Sequence, residues 1–361
     1  MNVPSVLLRH RSLRWLAPAG VVAVAGLVAT GFFQADAKQS TKLPHMTPSA
    51  LLADVRSAGT TGFSGTILSR VSLGLPELPS LGTVGGDADS TSFTSLLSGS
   101  HTLQVWYGGA DEQRIALLGA MDETDVFRSG RQLWTWNSSD RIAQHAVLPA
   151  GAAAVPDPVG SPAPTMTPSA LSSQALAALS PTTRVSVRAG AQVADRNVYD
   201  LVLTPRTSAT RVGSVHISVD ASTKLPLAVR VYARGERSPA VDVAYTSVRF
   251  TAPSKSSFTF SPPAGATVHT VKLGADLRRL AGRDEARVVG AGWTRVVEVD
   301  THSQVNTARG EFARALTPVS GSWGHGGLLE SSLVSVLVTS TGRVFAGSVD
   351  PSALYAAAAA K

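Results

Sequence analysis

The residue types that could do chemistry are present in this chain, but their spacing does not favour a reaction. The 361 residues include eight histidines and no cysteine. No two histidines stand at metal-ligand spacing, and the lack of cysteine excludes disulfides, thiolate metal sites and cysteine nucleophiles. The motifs of serine hydrolases, zinc proteases, phosphate-binding loops and dinucleotide-binding folds are also missing. We therefore predict a protein that is not an enzyme and has no cofactor.

Two groups of polar residues still require an interpretation. Asp122, Glu123 and Asp125 form an acidic cluster, which is more typical of a solvated strand edge than of a cation or general-base site. His101, His145 and His216 fall within or beside predicted strands, where surface or strand histidines are more common than ligands. A secreted hydrolase is the weakest hypothesis, because only the fold could assemble its Ser, His and Asp.

The N-terminus has the pattern of an export signal. Arginines precede an almost wholly apolar segment at 15–33, and Ala35-Asp36-Ala37 supplies the small residues at which a signal peptidase cuts. Residues 1–37 are therefore a cleaved signal peptide or, because 15–33 is nearly long enough to span a bilayer, a retained membrane anchor. Either alternative predicts an extracytoplasmic protein, periplasmic or secreted or held at the outer face of the membrane.

The charge of the chain is positive but diffuse. Its formal net charge is +7, and only 16% of its residues are charged. Nucleic-acid proteins usually cluster Lys and Arg with aromatic residues, whereas the arginines here are scattered singly. We predict no nucleic-acid partner. A membrane surface with anionic lipids is the partner that such a charge attracts outside the cytoplasm.

The elements that would position functional residues are mostly strands. Met46–Leu51 and 166–171 have the same sequence, in which a threonine can cap a helix and a proline can occupy its first turn. Alternating apolar residues predict a strand over 63–73, and a series of short strands with intervening turns over 102–147 predicts an antiparallel meander. A further strand is predicted at Phe258–Phe260.

Four segments resemble the LolA-like superfamily, which includes the outer-membrane lipoprotein carrier LolA and the sigma-E regulatory proteins of the RseB/MucB type. They are Gly62–Ile67, Arg131–Asn137, Val219–Leu227 and Phe258–Ala266, in matching order over about 46–270. The last segment, Phe-Thr-Phe-Ser-Pro-Pro-Ala-Gly-Ala, is the most specific. The resemblance implies a mainly β (α+β) fold, in which a curved antiparallel half-barrel carries helices on its concave face.

The resemblance also implies a function and a division of the chain. The LolA/RseB-like domain would cover 38–270, a linker 271–285 and a small C-terminal α+β module 286–361. Carriers of this kind hold lipid or lipoprotein acyl chains in an apolar cavity, whereas the RseB/MucB type binds a membrane anti-sigma factor. The module favours the regulator, so both functions stay open. In the module we expect a strand, a helix at about 305–316, two strands and an alanine-rich helix.

The candidate cavity residues are apolar positions of the strands and helices. Alternation places Trp134 and Trp136 on one face, and Phe258 and Phe260 likewise. An ordinary core under the helices explains these positions about as well as a lipid cavity does. The expected lining comprises Phe63, Ile67, Val71, Trp106, Trp134, Trp136, Phe258 and Phe260 from the sheet, with Leu51, Leu52, Val55, Leu171 and Leu176 from the helices.

Overall fold

A computed structural model describes residues 43–58, 62–74, 95–96, 98–148, 167–177, 182–271, 287–300 and 315–360. The predicted signal or anchor, most of the predicted linker and nearly all of the helix predicted at 305–316 lie outside these residues. Residues 41–361 form one compact unit. In the described part of the chain, none of the helices combines the length and the hydropathy that a bilayer crossing requires.

Three α-helices are described, and the first two begin as the repeated sequence predicts. Thr47 Oγ1 accepts a hydrogen bond from the Ala50 amide at 3.3 Å, and Thr167 Oγ1 accepts one from the Ala170 amide at 3.2 Å. Each threonine thereby satisfies an amide that has no partner within the helix. The helices are α1 (Pro48–Ser57), α2 (Pro168–Ala177) and α3 (Pro351–Ala359).

Most of the structure is one twelve-stranded sheet. Its strands are β1 (Phe63–Val71), β2 (Gly99–Gly109), β3 (Glu112–Leu118), β4 (Glu123–Ser129), β5 (Gln132–Asn137), β6 (Ile142–Val147), β7 (Thr183–Val193), β8 (Arg196–Pro205), β9 (Val212–Asp220), β10 (Pro226–Ala233), β11 (Pro239–Arg249) and β12 (Thr267–Val271). The order is β12-β6-β5-β4-β3-β2-β1-β11-β10-β9-β8-β7, and every pair is antiparallel except β12 with β6. The prediction of a mainly β fold with a large curved antiparallel sheet is confirmed.

A second sheet of six strands follows. Its strands are β13 (Arg287–Val289), β14 (Val296–Asp300), β15 (Thr317–Gly321), β16 (Gly324–Glu330), β17 (Ser335–Thr339) and β18 (Arg343–Gly347), in the order β13-β14-β18-β17-β16-β15. Helix α3 packs on this sheet, and fully buried Leu337, Phe345 and Leu354 form the centre of its core. The assignment of 286–361 as a separate module stays a prediction.

The two sheets are joined by specific contacts. The Arg211 guanidinium donates to the Ser331 carbonyl at 2.7 Å and pairs with Glu330. The Trp293 indole N–H donates to Thr183 Oγ1 at 2.8 Å, and Trp293 is buried in the core beneath α1 and α2. The second sheet therefore shares apolar packing with the first.

The two faces of the large sheet differ in what covers them. We call the face that carries Phe63, Ile67 and Val71 the helix face, because α1 and α2 pack on it. The strand register continues this face from β1 across β11, β10 and β9 to β8, through the row Ser69, Val243, Val229, Ile217 and Leu201. We call the other side, which carries residues such as Ser64 and Arg70, the opposite face.

The prediction of a strand at Phe258–Phe260 was wrong. Residues Lys255–Phe258 form a 3₁₀ turn, in which the Ser257 amide donates to the Ser254 carbonyl at 2.9 Å. Pro253, Pro262 and Pro263 flank the segment, and prolines lack the amide that a central strand needs. The alternating phenylalanines resemble a strand pattern, but both side chains instead pack down onto the opposite face of the sheet.

Candidate ligand-binding face

The predicted lining residues of β1 lie together on the helix face. Phe63, Ile67 and Val71 are all buried. Ile67 is fully covered, and the Phe63 ring stacks on Tyr107 with a centroid distance of 5.4 Å and meets Tyr245 edge-on at 6.2 Å. These contacts make the centre of the helix face mainly apolar, which is what burial of an acyl chain requires.

The five predicted helix residues cover the same face. Leu51 of α1 is fully buried against the β8 to β10 side of the sheet, with Leu52 and Val55 half-buried beside it. In α2, Leu176 is buried and Leu171 packs against both apolar clusters of the large sheet. The structure therefore places eight of the thirteen candidate residues on one face of the sheet but in two apolar clusters. The β1 residues lie in one cluster, four of the helix residues lie in the other, and Leu171 contacts both.

The other five candidates lie on the opposite face, which corrects the expectation of one common lining. Tyr107 pairs with Phe63 on the helix face, so its neighbour Trp106 points the other way. The register then aligns Trp106, Arg114, Phe127 and Trp134 across β2 to β5 on that side. Trp134 and Trp136 do share a face, as alternation predicts, but it is not the face under the helices.

The aromatic residues of the opposite face form a packed cluster. The Phe260 ring centroid lies 5.0 Å from Phe127, 5.5 Å from Trp134 and 5.7 Å from Trp136. Phe258 is 1% exposed and lies against Gly108, where an added Cβ would come within 3.0 Å of the ring. We interpret this cluster as a core beneath the 254–260 segment, because its aromatic rings pack against one another.

The sequence favoured a solvated strand edge for the acidic cluster, but the structure buries its central carboxylate. Asp125 is 3% exposed and accepts a 2.8 Å hydrogen bond from Arg114, which also donates to Glu123 at 2.9 Å. The Arg114 guanidinium lies over the rings of Trp106 and Phe127, at 4.4 and 4.7 Å. Burial and a hydrogen bond with the Glu123 carboxyl raise the pKa of Asp125 to about 7, against the lowering effect of Arg114.

A tryptophan fluorescence titration should detect this carboxyl. Because the pKa of Asp125 is higher in the folded state, its protonated form stabilises the fold at acid pH, and this contribution is lost as the pH rises through about 7. Trp136 lies directly across from Asp125 in the register, so its emission should change over the same interval. The change should be absent in Asp125→Asn and should shift to lower pH in Glu123→Gln.

His145 requires a control in that titration, since its ring stacks on Trp134 at 4.2 Å. We would therefore compare two proteins that both carry His145→Asn, one with Asp125 unchanged and one with Asp125→Asn. Identical titration curves for the two proteins would show that Asp125 keeps one protonation state across the range.

The fold brings one Ser, His and Asp together, but not as a catalytic triad. His216 Nδ1 and Ser218 Oγ both bond to the Asp200 carboxylate, at 3.1 and 3.0 Å. A triad needs the serine hydroxyl on the other imidazole nitrogen, so this serine lacks its base. Burial raises the pKa of Asp200, but the hydrogen bonds from His216 and Ser218 outweigh it, and the pKa lies below its ordinary value. Across the described residues, no three His, Asp or Glu side chains are grouped to hold a metal ion.

Comparisons with known proteins give matches only among solved structures. No family model and no curated protein matches the chain. The structure of the Pseudomonas aeruginosa MucA/MucB complex matches 86% of this chain and 96% of the matched chain, with 16% identity and a TM-score of 0.44. A LolA superfamily protein from Nitrosomonas europaea matches 60% of this chain and 99% of its own, with 12% identity and a TM-score of 0.22. An uncharacterized conserved protein from Thermus thermophilus matches 62% and 98%, with 10% identity and a TM-score of 0.33.

Proposed function

We propose that this protein is a non-catalytic, extracytoplasmic binding protein that holds lipid or lipoprotein acyl chains between the helix face and helices α1 and α2. One observation carries the proposal. Two short helices place Leu51, Leu171 and Leu176 on an apolar sheet face that extends over several strands. An acyl chain can replace these side chains without loss of apolar contact. The N-terminal export pattern supports the location.

The helices are suited to move. Each has ten residues, and isolated helices of that length are marginal in water, so their stability comes mainly from packing on the sheet. Leu51 is fully covered, which means that a ligand can reach the sheet beneath it only if α1 shifts. Each methylene that an acyl chain buries contributes about 0.8 kcal/mol, which would offset the helix contacts given up.

A buried hydroxyl on the helix face also favours a ligand with a polar group. Ser69 is fully buried in the row that continues to Val243, and its Oγ has no hydrogen-bond partner among the described residues. Leaving a hydroxyl without a partner costs about 1–3 kcal/mol. The carbonyl of an acyl ester or amide would be a suitable acceptor.

The test is mass spectrometry of lipids extracted from the protein after purification from its host's envelope without added lipid. Wild type should carry a stoichiometric acylated species. Leu52→Asp places a charge on the half-buried side of α1 that faces the sheet, and should reduce the bound lipid at least tenfold. Ala53→Asp makes the same change at the exposed neighbouring position and should keep it. A lipid-free wild type, or equal lipid content in the two variants, would contradict the proposal.

A regulator that binds a membrane anti-sigma factor is the second candidate function. The second sheet favours it, because a carrier needs only the large sheet and its helices. In this alternative, lipid on the helix face would control the partner through the shared packing of Trp293 and Leu333 with Leu51 and Leu176. Co-purification of a membrane regulator in mild detergent would support this function, and an isolated lipid-loaded monomer would support the carrier.

A further inference from the structure

We propose that the opposite face of the large sheet, between β7 and β1, is a docking surface for an anionic lipid bilayer. This surface, which we call the arginine face, is independent of the proposed acyl site on the helix face. It consists of arginines from four strands that the register places on one side. They are Arg70, Arg184, Arg188, Arg230 and Arg249.

The register fixes the side on which each arginine lies. Arg230 and Arg70 both pair with Asp242, one from β10 and one from β1, and these three residues form a continuous row. Arg249 pairs with Ser64, the neighbour of Phe63, and therefore points away from the helix face. Arg188 pairs with Asp200 at the β7 end. Within that row two arginines flank one aspartate, and Arg184, Arg188 and Arg249 lie in other rows of the same side, so positive charge is spread over the face.

The carboxylates of this face are more buried than most of its arginines. Asp242 is half-buried and forms an ion pair with the Arg230 side chain at 3.1 Å, while the Asp200 carboxylate accepts hydrogen bonds from His216 and Ser218. Arg184, Arg188 and Arg249 are exposed, and 48% of the Arg70 side chain is exposed. Five arginines against two aspartates leave the outer layer of the face positive.

The aromatic neighbours favour a bilayer as the occupant. Tyr232 lies half-buried beside His216, with a centroid distance of 4.9 Å, and Trp106 stands in the same row as Arg249 and Ser64. Arginine attracts anionic headgroups, and Tyr and Trp are enriched where proteins meet the interfacial region of a membrane. A single-stranded nucleic acid would instead need exposed rings on which bases stack, and the described aromatic residues of this face are at least half-buried.

Vesicle sedimentation of the full chain tests the proposal. Vesicles of equal parts phosphatidylglycerol and phosphatidylcholine should bind the protein more tightly than pure phosphatidylcholine vesicles, and added salt should weaken the binding. Any apolar contribution of segment 15–33 is common to both vesicle types, so their difference measures the charge effect. Arg184→Glu/Arg188→Glu/Arg249→Glu should weaken binding to the anionic vesicles by about a hundredfold or more.

The matched control is Arg131→Glu/Arg287→Glu/Arg295→Glu, which changes the net charge equally at exposed positions in the β4–β5 turn and in or beside the second sheet. Its affinity for the anionic vesicles should fall less than about threefold, because only charges near the membrane surface contribute. Equal losses in the two variants would overturn the proposal in favour of diffuse attraction. Equal binding of wild type to both vesicle types, or retention on single-stranded DNA in place of vesicles, would also overturn it. None of these three results bears on lipid held under the helices.

Discussion

Replacing Phe258 by alanine should lower the free energy of unfolding by about 3–5 kcal/mol, the range for a phenylalanine removed from a core. The side chain is 1% exposed and fills the space above Gly108, which has no side chain of its own. Gly108 belongs to β2, whose neighbouring residues Tyr107 and Gly109 pair with β3, so the strand is held in place and cannot readily fill the cavity. Chemical denaturation at constant pH measures the loss.

Phe260→Ala is the matched comparison two residues away. Phe260 is half-buried, stacks on Phe127 and lies tilted against Trp134 and Trp136, so we expect a smaller loss, of about 1–2 kcal/mol. Its removal should leave lipid binding intact, because it lies on the opposite face from α1 and α2. Lipid lost from Phe260→Ala while the fold persists would return the aromatic cluster to the ligand site. Equal destabilisation by the two substitutions would contradict the difference in burial.

Local rules explain what could be predicted from the sequence. The Thr-Pro starts of α1 and α2 depend on residues within one turn, and the structure forms both caps. The meander of β2 to β6 could be predicted for the same reason, because local residues determine its turns. In the β4–β5 turn, for example, Gly130 has a φ of +58°, which favours glycine. In each case the chemistry that determines the element lies within a few residues.

Long-range pairing explains what could not. Alternation shows that Trp134 and Trp136 share a face but not which face, because that depends on how β1 pairs with β2. Parallel β12 joins β6 across more than a hundred residues. Strands β15 and β16 contain Pro318 and several glycines, so their sequence lacks the alternation of a strand. Arg114 meets Asp125 only after β3 pairs with β4.

Asp220→Ala should destabilise the fold by about 3–5 kcal/mol, because it leaves a partner charge without its counterion. Asp220 is 1% exposed and accepts hydrogen bonds from Arg196 Nε at 2.6 Å and Nη2 at 3.0 Å. It also accepts from the Thr223 amide at 2.7 Å and from Thr223 Oγ1 at 2.8 Å. The substitution therefore breaks both the ion pair to β8 and the turn between β9 and β10.

The same carboxylate should give the protein part of its acid sensitivity. Burial raises the pKa of Asp220, but the hydrogen bonds from Arg196 and Thr223 outweigh it, and the folded-state pKa lies below the ordinary value. Its stabilisation is therefore present above about pH 4, the unfolded-state value, and is lost as the pH falls through the folded-state pKa. Stability measured from pH 7 to 2 should fall less steeply in Asp220→Ala than in wild type.

Asp140→Ala provides the control, because Asp140 is an exposed turn carboxylate of the same sheet. It should change the free energy of unfolding by less than about 0.5 kcal/mol and leave the pH dependence unchanged. If Asp220→Ala matched this control, the Arg196 pair would contribute no more than a surface ion pair. Val219–Leu227 is one of the four segments that carry the LolA-like resemblance. In that case the stability of its turn would come from the Pro-Leu end and not from Asp220.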